Sequence, residues 1–186
     1  MFDFVSNGFY SLWFHFNKNF FKERHKRNWL GNIGATNALR TGNKVLGYST
    51  LILDILKAII PVLYIKFYFS EFIYISSLCV FLGHVFPIWL KFHGGKGVAT
   101  YVGILFVIDI YLGLLFTFVW FFIFIISKFS SLSSLIGSIS IPIYFLFLSQ
   151  FNDVLFFSIM FVLIFFTHRE NIKRLKNKEE TKTKIY

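Results

Sequence analysis

The chain has 186 residues, of which 56% are hydrophobic, 22% aromatic and only 15% charged, and its formal net charge is +10. Soluble domains carry about 25% charged residues, so this composition excludes an ordinary soluble domain, and its apolar content excludes intrinsic disorder. What remains is a membrane protein, and because the apolar runs are continuous rather than alternating, it is helical and not a barrel. The expected fold is an all-α polytopic bundle of roughly five to seven membrane segments, each near 20 residues.

In chain order, residues 1–16 are aromatic but too broken for a span. Residues 17–44 are polar, basic and rich in Gly and Asn, which predicts a loop with short helices. An apolar span over 45–65 carries Asp54 and Lys57, an i, i+3 pair that reads as an internal ion pair or as part of a site. After a short turn at 66–71, a second span covers 72–90, and 91–97 is a basic glycine-rich loop. The run 98–127 is too long for one untilted span, and Asp109 and Gly113 inside it predict a break. A Ser-rich turn at 128–134 leads to apolar segments at 135–149 and 154–167, and a polar tail begins at His168. If the loops 17–44 and 91–97 and the tail share one side, 98–167 must cross an even number of times, so either 98–127 breaks in two or one of the last two segments does not cross, and the length of 98–127 favours the break. The chain reads as one membrane domain, 1–186, without internal repeats.

The stretches 17–44 and 168–186 hold 14 of the 19 Lys and Arg residues. The positive-inside rule places both in the cytoplasm, against anionic headgroups. No soluble basic fold surrounds these charges, so nucleic acid is not an expected partner. The single Cys79 cannot form an internal disulfide and reads as a small packing residue.

Three polar islands interrupt the apolar pattern. The first runs from Leu30 through Gly31, Asn32, Ile33, Gly34, Ala35, Thr36 and Asn37 to Arg40. Glycine allows close backbone approach, asparagine offers an amide fork, and Arg40 offers bidentate donors to phosphate or carboxylate. The plain alternative is an interfacial loop with a helix cap at Thr36 or Asn37.

The second island is Gly83-His84-Val85-Phe86-Pro87 followed by Lys91, Phe92, His93, Gly94, Gly95, Lys96, Gly97, Val98, Ala99 and Thr100. Successive glycine amides can form a nest around an anion, Lys96 adds charge, and a helix starting near Val98 adds its dipole. The glycines are contiguous with Lys96, unlike a Walker A loop, so an NTPase is disfavoured. The alternative is a snorkelling basic turn. His84 reads as a hydrogen-bonded structural histidine, with no metal-ligand spacing around it.

The third island is Thr167-His168-Arg169-Glu170-Asn171-Ile172-Lys173-Arg174-Leu175, where an apolar helix emerges from the membrane. His168 and Asn171, three apart, are expected on one helical face, and Arg169 and Glu170 can pair locally. The alternative is helix-end anchoring by basic residues.

Together, Gly-Asn-Ile-Gly-Ala-Thr-Asn with Arg40, Gly-His-x-Phe-Pro with Gly-Gly-Lys-Gly-Val-Ala-Thr, and His-Arg-Glu-Asn-Ile-x-Arg-Leu resemble the three motifs of the bacterial glycerol-3-phosphate acyltransferases of the PlsY type. Order and approximate spacing agree from 31 to 178. The resemblance implies transfer of a fatty acyl group from acyl phosphate to the 1-hydroxyl of glycerol-3-phosphate, giving lysophosphatidic acid and phosphate at the inner membrane. It implies no cofactor and no metal. By the same resemblance, Gly94, Gly95, Lys96 and Gly97 cradle a phosphate, and Arg40 and Lys91 are cationic clamps. Asn32, Gly34, Asn37 and Asn171 belong to the site, the asparagines orienting oxygens. His168 is either the general base or a hydrogen-bond donor to phosphate. A small anion transporter using Asp54, Lys57 and Asp109, and an inactive remnant of the enzyme, are the competing readings.

Residues 1–30 depart from that family. Leu30 stands where the first motif has serine, and the opening Gly-Ser-Ile-Pro is missing. Codons for Gly8 to His15 can be chosen that, read one base later, give Gly-Ser-Ile-Pro-Phe-Gly-Phe, and the continuation restores the family's lead-in. The expectation is that this stretch is translated out of frame, with the frame regained at Leu30.

Overall fold

A computed structural model describes residues 34–40 and 43–183, leaving the side chains of Arg40 and Trp89 outside the description. The described residues form α-helices and short turns, with no strand among them. In order these are α1 (Ala35–Arg40), α2 (Lys44–Tyr68), α3 (Ile73–Val85), α4 (Val98–Ile108), α5 (Ile110–Ser127), α6 (Ser130–Phe147), α7 (Phe151–Thr167) and α8 (Arg169–Lys176). Two compact units divide the chain, Met1–Ile104 and Leu105–Tyr186.

In the first unit α1 packs on α2, and α2 on α3. A Cβ at Gly47 would overlap the Leu39 side chain, so glycine lets the two helices approach. Ala38 and Leu46 are buried there, with Leu53 and Leu90 against them. Thr36 and Asn37 do not cap α1 but lie within it. Gly34, at φ +155°, makes the turn instead, and its carbonyl accepts from the Asn37 and Ala38 amides. The capping asparagine is Asn43, whose Oδ1 accepts from the Leu46 amide of α2 at 3.0 Å. Helix α2 continues three residues past the expected end of its span. Helix α3 stops at Val85, short of the expected 90, because Pro87 has no amide hydrogen to extend it; Ile88–Leu90 is a 3₁₀ turn.

The run 98–127 is broken at Asp109, as its length and polar residue suggest. Asp109 turns extended (φ −152°, ψ 131°) and its carboxylate accepts from the Tyr111 amide at 2.7 Å, capping α5. Helices α5 and α6 have 18 residues each, about 27 Å at 1.5 Å per residue. Both are long and apolar enough to cross a membrane, and α7 with α8, bent by 63°, makes a third candidate.

The expected turn at 128–134 shrinks to Lys128 and Phe129, because the serines join α6. Their hydroxyls donate back along the helix, Ser133 to the Phe129 carbonyl at 2.9 Å and Ser134 to that of Ser130 at 2.8 Å. Such back-bonding satisfies polar groups where lipid offers none. Helix α6 packs on both α5 and α7. Trp120 of α5 donates to the Ser134 hydroxyl at 3.1 Å, and Phe145 stacks on Phe157 of α7 at 5.1 Å. Phe118, Ile126, Phe147 and Val162 point outward and exposed, an apolar face that suits acyl chains.

Candidate active site

In the first unit the glycine-rich loop is tied to the end of α3. The Gly94 amide donates to the Val85 carbonyl and the Gly95 amide to the His84 carbonyl, both at 3.2 Å. A Cβ at Gly94 would overlap those two carbonyls and Pro87, so no side chain fits. Gly97 sits at φ +84°, under the buried ring of Phe81. The structure therefore differs from a nest in which every glycine amide faces an anion, because Gly94 and Gly95 spend theirs on α3. What the loop presents is the start of α4. The first intrahelical bond there runs from the Tyr101 amide to the Gly97 carbonyl, so the amides ahead of it have no partner within the helix. Thr100, also in that first turn, has a fully buried hydroxyl without a hydrogen-bond partner.

Lys96 is half-buried beside these groups in sequence, whereas Lys91 is exposed and left-handed (φ 52°). Asn37 is buried on α1. Asn32 and the side chain of Arg40 lie outside the described residues.

Asp54, Lys57 and His84 form one buried cluster. The Lys57 ammonium is 2.5 Å from Asp54 Oδ1 and 2.5 Å from His84 Nδ1, and His84 Nδ1 is 3.7 Å from Asp54 Oδ1. The i, i+3 spacing announces the ion pair. The histidine, 27 residues on, carries no local signal of joining it.

In the second unit His168 is the hinge between α7 and α8, and it is buried. Its Nδ1 lies 2.8 Å from the Ile164 carbonyl. A carbonyl only accepts, so Nδ1 carries a proton, which in a neutral ring leaves the lone pair on Nε2. Asn171, one turn on and equally buried, donates its amide to Glu180 Oε1 at 2.9 Å, while its own Oδ1 has no hydrogen-bond partner. Glu180 also accepts from Arg174 Nε at 2.7 Å and from the Ser131 hydroxyl at 3.3 Å. Sequence reasoning passed over Glu180, one of three acids in a basic tail. Arg169 does not need Glu170: it donates to the Phe166 carbonyl at 3.2 Å and covers the Phe166 ring at 4.6 Å.

A polytopic helical membrane protein with an anion-suited helix start and a tautomer-fixed histidine is the class that these features define. A sequence model of the family described as glycerol-3-phosphate acyltransferase matches residues 11–178. The glycerol-3-phosphate acyltransferase of Pelagibacter ubique (strain HTCC1062) is 70% identical over 156 residues, covering 84% of this chain and 81% of that protein. That of Mesorhizobium japonicum is 44% identical over 145 residues, covering 78% and 74%. Among solved structures, the glycerol 3-phosphate form of PlsY, an integral membrane glycerol 3-phosphate acyltransferase, superposes with a TM-score of 0.77 at 34% identity, covering 86% of this chain and 81% of that one. Its lysophosphatidic acid form gives 0.74 at 36% identity, covering 82% and 80%. The chain belongs to the glycerol-3-phosphate acyltransferase family, and it is an acyltransferase of the membrane. These likenesses do not favour the transporter or the inactive remnant. Asp109, exposed and spent on a helix cap, is likewise poorly suited to an ion path.

Proposed function

We propose that this chain transfers a fatty acyl group from acyl phosphate to the 1-hydroxyl of glycerol-3-phosphate, an early step of phospholipid synthesis. The hydroxyl oxygen bonds to the acyl carbon, and the bond from that carbon to the phosphate oxygen breaks. Phosphate leaves with the electron pair, and lysophosphatidic acid remains. The hydroxyl proton passes to His168 Nε2 or to the departing phosphate, which can itself accept it.

The observation that carries this reading is the start of α4. It combines amides without helical partners, an unpartnered buried Thr100 hydroxyl and the adjacent Lys96, all suited to a phosphate dianion. Gly94, Gly95 and Gly97 shape the loop that leads into it. Arg40 and Lys91 add positive charge, and Asn32, Gly34 and Asn37 serve the substrates from the first motif. Asn171 offers its unpartnered Oδ1 to a substrate hydroxyl. Fixed charges around a transferring centre lower a barrier by several kcal/mol without reorganising. The basic stretches, by the positive-inside rule, support a topology with the loops and the C-terminus on the cytoplasmic side of the inner membrane, where both substrates and the lipid surface are met.

The test is lysophosphatidic acid formation by membranes carrying this chain, supplied with glycerol-3-phosphate and either acyl phosphate or acyl-CoA. Product from acyl phosphate alone is expected. Product from acyl-CoA alone would overturn the donor assignment.

A further inference from the structure

We propose that the buried Asp54–Lys57–His84 cluster positions the glycine-rich loop, so that Lys57 governs glycerol-3-phosphate binding without touching the substrate. This rests on reading the loop as part of the phosphate site. Three contacts tie α3 to the loop, and all come from its last two turns. The Phe81 ring covers Gly97, the His84 carbonyl holds the Gly95 amide at 3.2 Å, and the Val85 carbonyl holds the Gly94 amide at 3.2 Å. A rotation of α3 about its axis disturbs all three together.

The cluster opposes that rotation. Lys57 Nζ lies 2.5 Å from both Asp54 Oδ1 and His84 Nδ1. An ammonium has only donors, so the contact fixes Nδ1 as an acceptor and clamps the ring on the residue whose carbonyl receives Gly95. Asp54 and Lys57 are both on α2, which packs on α3, so the anchor comes from a second helix. A buried ion pair is seldom better for stability than well-packed apolar side chains; its better-attested use is to fix register.

The experiment measures KM for glycerol-3-phosphate, kcat and thermal unfolding on the full chain in membranes or detergent. His84→Ala keeps the Asp54–Lys57 pair and removes only the clamped ring. Lys57→Met strands the Asp54 carboxylate, whereas Asp54→Asn with Lys57→Met removes both charges. Expected in His84→Ala and in the double variant is a KM raised about tenfold or more, with kcat within about threefold, which is a loss of binding rather than of chemistry. The double variant should also recover the unfolding temperature that Lys57→Met loses. Native KM in His84→Ala, or recovery of KM along with stability in the double variant, would overturn the proposal and leave the cluster a matter of charge balance. Lys96→Ala is the reference for the underlying reading: if it leaves KM unchanged, the loop assignment fails, and if it raises KM while His84→Ala does not, only the positioning role fails.

Discussion

The side-chain amide of Asn171 donates to the Glu180 carboxylate at 2.9 Å, and this fixes which way the asparagine faces. A carboxylate accepts only, so the NH₂ must point at Glu180 and the oxygen away from it. Arg174 and Ser131 hold the same carboxylate in place.

Replacing Glu180 with alanine is therefore expected to leave the buried Asn171 amide and Ser131 hydroxyl without their acceptor. The cost is about 1–3 kcal/mol per unsatisfied group. Thermal unfolding should fall in Glu180→Ala, with turnover falling too because Asn171 loses its orientation. Glu180→Gln keeps an acceptor toward Asn171 and should retain more of both. Equal loss in the two variants would show that charge, rather than the orientation of Asn171, is what Glu180 supplies.

His168→Ala should lower kcat by about a hundredfold, in the range for loss of a general acid–base group. Lys96→Ala should act mainly through KM for glycerol-3-phosphate. Steady-state kinetics in native-like lipid separate the two, and unaltered rates in both variants would remove these residues from the site.

Asp109 is expected to matter as a cap and not as a charge. Asp109→Asn should be silent, since asparagine caps as well, while Asp109→Ala should cost about 1 kcal/mol of stability. A large loss of activity in the asparagine variant, measured beside its melting temperature, would give the charge itself a role.

The stretch 1–30 leads to a prediction at the level of the gene. A version in which residues 8–30 are reframed restores a serine where Leu30 stands. A hydrogen bond to a charged group contributes about 1.5–3 kcal/mol, so the reframed chain should turn over roughly ten times faster or more. Codons incompatible with the reframing, or equal rates in the two chains, would dismiss the idea.

The helical membrane class was legible because apolar runs of helical length admit little else, and the break at Asp109 was legible from excess length plus one polar residue. The Ser-rich segment misled. Serine favours turns in water, but in α6 Ser133 and Ser134 bond back to helix carbonyls and keep the helix going. Local spacing exposed the Asp54–Lys57 pair and the His168–Asn171 turn. It did not expose His84 joining the first or Glu180 joining the second, because both depend on how the chain returns. Nor did the glycines reveal that the Gly94 and Gly95 amides serve α3.

The way the tail is held also changes what its lysines are. Glu180 is buried against Asn171, Arg174 and Ser131, and the Thr183 amide donates to the Lys128 carbonyl at 2.9 Å. Lys173, Lys176, Lys178 and Lys182 are exposed around these fastenings. They make up a stiff comb with set spacing and not a loose polycation. An anionic surface that meets it gains attraction with little chain entropy left to lose, and Glu180→Ala would loosen Lys178 and Lys182 while Lys173 and Lys176 stay on α8.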